Sequence, residues 1–175
     1  MRAHARHLLL AVFGLAPSIL AAEEIANLDA RSGSVSAPFF ITNGCVCQGA
    51  SLQANKGRAV YEFVVTNSGS FVLQGFVNAP AGDANSLVVN VDAEPDDPAM
   101  IWDIPVSPGF TNQLISWRGE RTPGSILISR KVFTLSQGKH QIILRGHSGN
   151  VQLARITVLR IPAAPTGLRV SGPGS

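Results

Sequence analysis

The chain has 175 residues, 45% hydrophobic and 6% aromatic, with 14 Lys and Arg against 11 Asp and Glu for a net charge of +3. That length fits one domain with short flanking segments, and the cations are too few and too dispersed for a nucleic-acid footprint, which needs them clustered on one face. Cys45 and Cys47 do not make a disulfide framework: in a strand their Cα atoms would sit roughly 6.6 Å apart, near the limit for a bridge, so two small semi-buried thiols are expected.

Residues 1–22 read as a secretion signal. Arg2 and Arg6, with His4 and His7, make a basic start; an apolar run follows from Leu8 to Leu20, and Ala21-Ala22 offers small residues to a peptidase. The run contains Pro17 and is too short to span a bilayer as a helix, which needs roughly 20 residues, so no membrane insertion is expected. The expected location is secreted, periplasmic or cell-surface. Without Arg2 and Arg6 the mature charge falls to about +1. The roughly 140 residues that follow can bury about two-thirds of their unfolded surface, enough for a core without staples.

Strand signals dominate from residue 34 onward: Val35–Thr42, Cys45–Leu52, Arg58–Thr66, Ser70–Ala79, Asn85–Asp92, Gln113–Trp117, Ile126–Leu135, Lys139–Arg145 and Val151–Arg160. Phe71, Leu73, Gly75 and Val77 alternate with polar or outward positions, as a half-buried strand requires. Leu87, Val89 and Val91 alternate in the same way, which predicts one buried face there. Val151 and Leu153, then Ile156 and Val158, shift phase by one residue and predict a bulge near Ala154–Arg155. Asn67–Ser70 and Ser136–Gly138 read as hairpin turns. No window shows a helical stripe. Many short strands with frequent turns predict an all-β sandwich of the jelly-roll type over residues 23–161.

Residues 162–175 read as a Pro/Gly linker, and Pro165-Thr166-Gly167-Leu168-Arg169-Val170 resembles the opening strand of a fibronectin type III domain. That resemblance implies further domains downstream in a longer protein. A second resemblance covers about residues 28–160. It is carried in order by Asp29-Ala30-Arg31, Thr42-Asn43-Gly44-Cys45-Val46, Gly69–Pro80, Asn85–Asp92, Gly138–Ile142 and Leu153-Ala154-Arg155-Ile156. Together these segments are similar to the carbohydrate-binding modules of families 6 and 35, within the galactose-binding-like jelly rolls. The resemblance implies a polysaccharide or glycan partner, and positions for a structural calcium ion at Asp29, Arg31 and Ala154. Two of those three positions have lost the carboxylate, and Ca²⁺ wants six to eight oxygens, so no metal is expected there.

A flat ring stacks on the apolar face of a sugar, which makes Trp102 and Phe110 the expected ring surfaces, while Trp117, Tyr61 and Phe63 fit strand packing. Asn78, Asp83, Asn85, Asn112 and Arg118 are the expected polar partners near strand ends, and Arg121, Arg130 and Lys131 are exposed cations of the kind an acidic polysaccharide could use. The acidic run Asp92-Ala93-Glu94-Pro95-Asp96-Asp97 reads as a solvated turn rather than a cation loop. No cofactor is expected, and no catalytic constellation stands out. The mature chain has only His140 and His147, no nucleophile elbow, no zinc spacing and no marked carboxylate pair. The expected function is a non-catalytic carbohydrate-binding module; the alternative is a structural or adhesive β-sandwich without sugar binding.

Overall fold

The computed structural model describes residues 22–49, 57–119 and 129–163, which are built from strands and one short 3-10 turn. The expected secretion signal as far as residue 21, Arg121, the ends of two expected strands at 50–52 and 126–128, and the expected fibronectin-like tail from residue 164 lie outside the described residues. In chain order the strands are β1 (Glu23–Asp29), β2 (Ser34–Ser36), β3 (Phe39–Thr42), β4 (Cys45–Gln48), β5 (Arg58–Val65), β6 (Gly69–Asn78) and β7 (Ser86–Val91). Then follow β8 (Ile101–Asp103), β9 (Thr111–Leu114), β10 (Ser116–Trp117), β11 (Ser129–Arg130), β12 (Phe133–Leu135), β13 (Gly138–Gly146) and β14 (Gln152–Ile161). Among the described residues no helix is long and apolar enough to cross a membrane.

Two antiparallel sheets make the sandwich. One has seven strands in the order β12-β6-β14-β4-β3, with β1 beside β14 and β9 beside β6; the other has five, in the order β2-β5-β13-β7-β8. A two-stranded ribbon, β10-β11, lies beside them. Phe71, Leu73 and Val77 of β6 and Ile156 and Val158 of β14 share one buried cluster with Tyr61 and Phe63 of β5 and Ile142 and Leu144 of β13. Period two produces this. Along β5, Ala59, Tyr61, Phe63 and Val65 are buried while Glu62 and Val64 are exposed, so a slip of one residue would turn the whole set outward.

The β3–β4 hairpin closes through Asn43-Gly44, both at positive φ, with Thr42 opposite Cys45. Those signs match the two-residue turn whose twist suits paired strands. The expected bulge is present. The register of β14 against β6 shifts between Leu153 and Arg155, so that Leu153 faces Val77 and Arg155 faces Phe76. On its other edge β14 pairs with β4 through Gln152 and Leu153 and with β1 through Arg155 to Arg160. The bulge therefore sits where one edge partner gives way to the next.

Several expectations are corrected. The stretch Val35–Thr42 divides at Pro38, which has no N–H to donate; β2 joins β5 in one sheet and β3 joins β4 in the other. Gln113–Trp117 divides at the buried Ile115 into β9 and β10. Residues 66–68 and 136–137 are not hairpin turns, because β5 and β6, and likewise β12 and β13, lie in different sheets. These two crossovers run side by side, with the Gln137 amide donating to Ser68 Oγ at 3.0 Å. β7, which lies between β13 and β8, is buried on both faces rather than one. β1 and β8 were not anticipated at all.

Candidate functional site

Trp102 is not an exposed ring. It lies in β8 opposite Leu87 of β7, is 0% exposed and belongs to the core between the sheets. Its indole reaches across to β6, where a Cβ at Gly75 would come within 2.5 Å of Cη2. Pairing of β8 with β7 turns the side chain inward, where a large apolar ring is worth most. The expected sugar-stacking role at this position is therefore corrected: the ring has no free face. Arg118 is also committed elsewhere. Its Nε donates to Asp103 Oδ2 at 2.8 Å and Nη2 donates to Oδ1, a bidentate pair on the β8 side.

The alternation of β6 builds a different surface. Leu73, Gly75 and Val77 point into the core, while Gln74, Phe76 and Asn78 point outward and are half-buried. Directly opposed residues of neighbouring strands share a face. One row on the outer face of the seven-stranded sheet is thus Asn112, Phe76, Arg155 and Asp29. The next is Asn78, Gln152, Cys47 and Phe40. Phe110, just before β9, lays its ring 5.3 Å from that of Phe76 at an interplanar angle of 36°. The Arg155 guanidinium carbon lies 5.1 Å from the Phe76 ring centre. Asn78 Nδ2 donates to Gln152 Oε1 at 3.1 Å. The polar network is incomplete, because Asn78 Oδ1 and Arg155 Nε are buried without a hydrogen-bond partner. Such orphaned groups cost about 1–3 kcal/mol each.

Two loops border this face at the Asn78 end. Residues 79–85 fold back through the Ala84 amide donating to the Ala81 carbonyl at 3.0 Å. Residues 104–110 are tied to them by Ser107 N–H to Ala79 O at 3.0 Å and Ile104 N–H to Asn85 O at 2.8 Å. The structure thus brings Asn78, Phe110 and Asn112 together, with exposed Asp83 and half-buried Asn85 in the adjoining loop. Phe76, Gln152 and Arg155 were missed by sequence reasoning. The signal for Phe76 was available: an aromatic on the polar phase of an alternating strand.

The calcium positions do not form an oxygen cage. Arg31 Nε and Nη2 donate to Asp29 Oδ1 and Oδ2, each at 2.9 Å, and the Arg31 amide donates to Oδ1 at 2.8 Å. Those bonds hold the Asp29 carboxyl down at about 2, well below its usual range. Ala154, in the bulge, offers no side-chain oxygen. A cation would have to displace the guanidinium, so these residues do not fit Ca²⁺.

Several other titratable groups are spent on structure. In the acidic run, Asp92 holds His140, and Glu94 takes Arg58 at 2.7 Å and Arg145 at 3.3 Å. No group of three His, Cys, Asp or Glu among the described residues could hold a metal ion. Ser86 Oγ lies 2.6 Å from His147 Nδ1, but Ser86 is 2% exposed and closed to a substrate. Cys45 and Cys47 are free and buried, and burial raises both thiol pKa values.

No family model matches the chain, and no curated protein sequence matches it either. Solved structures do. A carbohydrate-binding module, CBM6cm-2 from Cellvibrio mixtus lichenase 5A in complex with cellotriose, is 18% identical at a TM-score of 0.53, covering 80% of this chain and all of that one. A family 35 carbohydrate-binding module from Clostridium thermocellum is 16% identical at 0.53, covering 76% of this chain and 95% of that one. The Podospora anserina GH26-CBM35 β-(1,4)-mannanase is 12% identical at 0.58, covering 81% of this chain. The chain spans under a third of that mannanase and of an exo-β-1,3-galactanase from Phanerochaete chrysosporium that it also resembles. At these identities the likeness is one of fold: the chain has the β-sandwich of the family 6 and family 35 modules.

Proposed function

We propose that this chain is a non-catalytic carbohydrate-binding module, exported and part of a modular protein. The observation that carries the reading is the outer face of the seven-stranded sheet. There two phenyl rings, Phe76 and Phe110, sit within 5.3 Å of each other and are flanked by Asn78, Asn112 and Gln152. Ring faces suit the C–H faces of sugars, and a few convergent amides supply donors and acceptors for hydroxyls. Asn78, Asp83 and Asn85 frame one end of that surface and Phe110 contributes its ring, while Trp102 supports the sheet from beneath. The sandwich fold shared with sugar-binding modules agrees with this reading, and the basic, apolar start of the chain agrees with export.

The test is affinity electrophoresis of the protein through gels containing soluble polysaccharides, neutral and acidic. Retardation by at least one polymer, lost on Phe76→Ala and Phe110→Ala, supports the reading; a folded protein that no polymer retards refutes it. That second result would favour a structural or adhesive sandwich, a reading supported by the burial of Trp102, which removes the larger ring from the surface.

A further inference from the structure

The charge on the outer face is unbalanced, and the imbalance has a local cause. Arg155 and Asp29 are direct cross-strand partners of β14 and β1, the arrangement in which opposite charges ordinarily pair. They do not pair. Arg31, two residues after Asp29, takes both carboxylate oxygens with its own planar fork at 2.9 Å each. Among the described residues no ion pair joins Arg155 to any carboxylate, and its Nε is buried without an acceptor. Its partner Phe76 in β6, Asn112 on the far side of Phe76, and Thr157 two residues along β14 are uncharged. The guanidinium carbon lies 5.1 Å from the Phe76 ring centre, within cation–π range, and among the described residues no carboxylate is paired with its nitrogens.

We infer that Arg155 makes this site selective for saccharides carrying an anionic substituent, with Arg31 acting as a positioning residue that keeps Asp29 from neutralising it. This rests on the proposed sugar-binding role of the same face and deepens it. A guanidinium donates two parallel N–H bonds to a planar carboxylate and can do the same for a sulfate, so the shared chemistry is an oxyanion beside a sugar ring. Phe76 links the apolar and the cationic parts of the surface, since its ring packs with that of Phe110 and also lies within cation–π range of Arg155. Neutral sugars would use the rings and amides alone.

The experiment is isothermal titration of the full chain with oligogalacturonate, with the same oligomer after reduction of its carboxylates to alcohols, and with a sulfated galactan oligomer. Oligogalacturonate or sulfated galactan should bind roughly 10- to 100-fold more tightly than the reduced oligomer, the range expected for a charge-assisted pair. Which of the two binds better assigns carboxylate or sulfate as the natural oxyanion. Arg155→Gln should abolish that preference, and Arg155→Lys should restore only part of it because the fork is lost. Arg31→Gln, which frees Asp29, should weaken acid binding several-fold with the melting temperature little changed. It serves as the independent test if Arg155 variants fail to fold. Equal binding of both anionic oligomers and the reduced oligomer overturns the inference while leaving a sugar-binding role standing. Unchanged acid binding in Arg31→Gln overturns it too. No binding of any oligomer by folded protein removes the sugar-binding reading itself.

Discussion

Truncation of Trp102 separates a core ring from a ligand-stacking one. The side chain is 0% exposed and its far ring edge occupies the space that a Cβ on Gly75 would need. Trp102→Ala should therefore cost about 3–5 kcal/mol, equivalent to a fall in melting temperature of about 10–20 °C for a domain of this size. Trp102→Phe should cost less than half as much. It removes the Nε1 donor, which is buried without an acceptor at a penalty of about 1–3 kcal/mol, and that gain offsets part of the lost packing. Gly75→Ala alone should destabilise by about 1–3 kcal/mol, because its methyl group meets the indole. In the double variant the methyl falls into the gap left by the shorter ring, so the two changes should couple favourably by about 1 kcal/mol or more. Urea denaturation followed by far-UV circular dichroism, as a double-mutant cycle, measures all four states. Strict additivity would refute the packing argument. So would a Trp102→Ala protein that melts within about 2 °C of the parent while losing glycan binding.

Phe76→Ala removes a half-buried ring from the outer face and should weaken polysaccharide binding by about 10-fold or more, with a stability loss of about 1 kcal/mol or less; affinity electrophoresis and thermal melting check the two halves. His140 predicts a pH dependence. Burial of its ring opposes protonation, but Asp92 Oδ2 on Nδ1 at 2.6 Å, the Ser136 carbonyl on Nε2 at 2.9 Å and the Asp92 charge together raise its pKa. Because the folded value lies above the unfolded one, the stabilisation is complete below about pH 6.5 and is lost as pH rises through the folded value. Urea midpoints should fall over that window in the parent protein and stay flatter in Asp92→Asn. Gly44 lies at φ +78° with open space around it, so Gly44→Ala should cost about 1 kcal/mol from backbone strain alone; equilibrium unfolding checks it.

What the sequence made legible was whatever depends on neighbours along the chain. The alternation of Phe71, Leu73, Gly75 and Val77 fixed which face of β6 is buried, and the phase shift around Ala154 located the bulge. Asn43-Gly44 marked its hairpin. Cys45 and Cys47 are small free thiols as expected, though buried where half-burial was expected. What it hid depends on distant partners. Ile25 is the one β-branched residue in β1, and the strand exists because β14 supplies its ladder. Trp102 sits among acidic and proline-rich segments that look solvated, and only its pairing with Leu87 of β7 shows that it turns inward. The Ser68 and Ser136 turns look like hairpins until the strands on either side are seen in different sheets. Of the candidate site, Asn78, Phe110 and Asn112 were expected. Arg155 was not, because its place beside Phe76 follows from the bulge, and its lack of a counter-ion follows from a contact between two other residues.

The bulge has a consequence for how this surface can change. It sets two consecutive residues, Ala154 and Arg155, against the single partner Phe76, while the pairs before and after keep their phase. Side-chain chemistry at 154 can therefore vary without displacing a residue of the core. An aspartate there would place a negative group beside the guanidinium from within its own strand. One codon could then turn a cationic patch into a self-neutralised one on an unaltered scaffold.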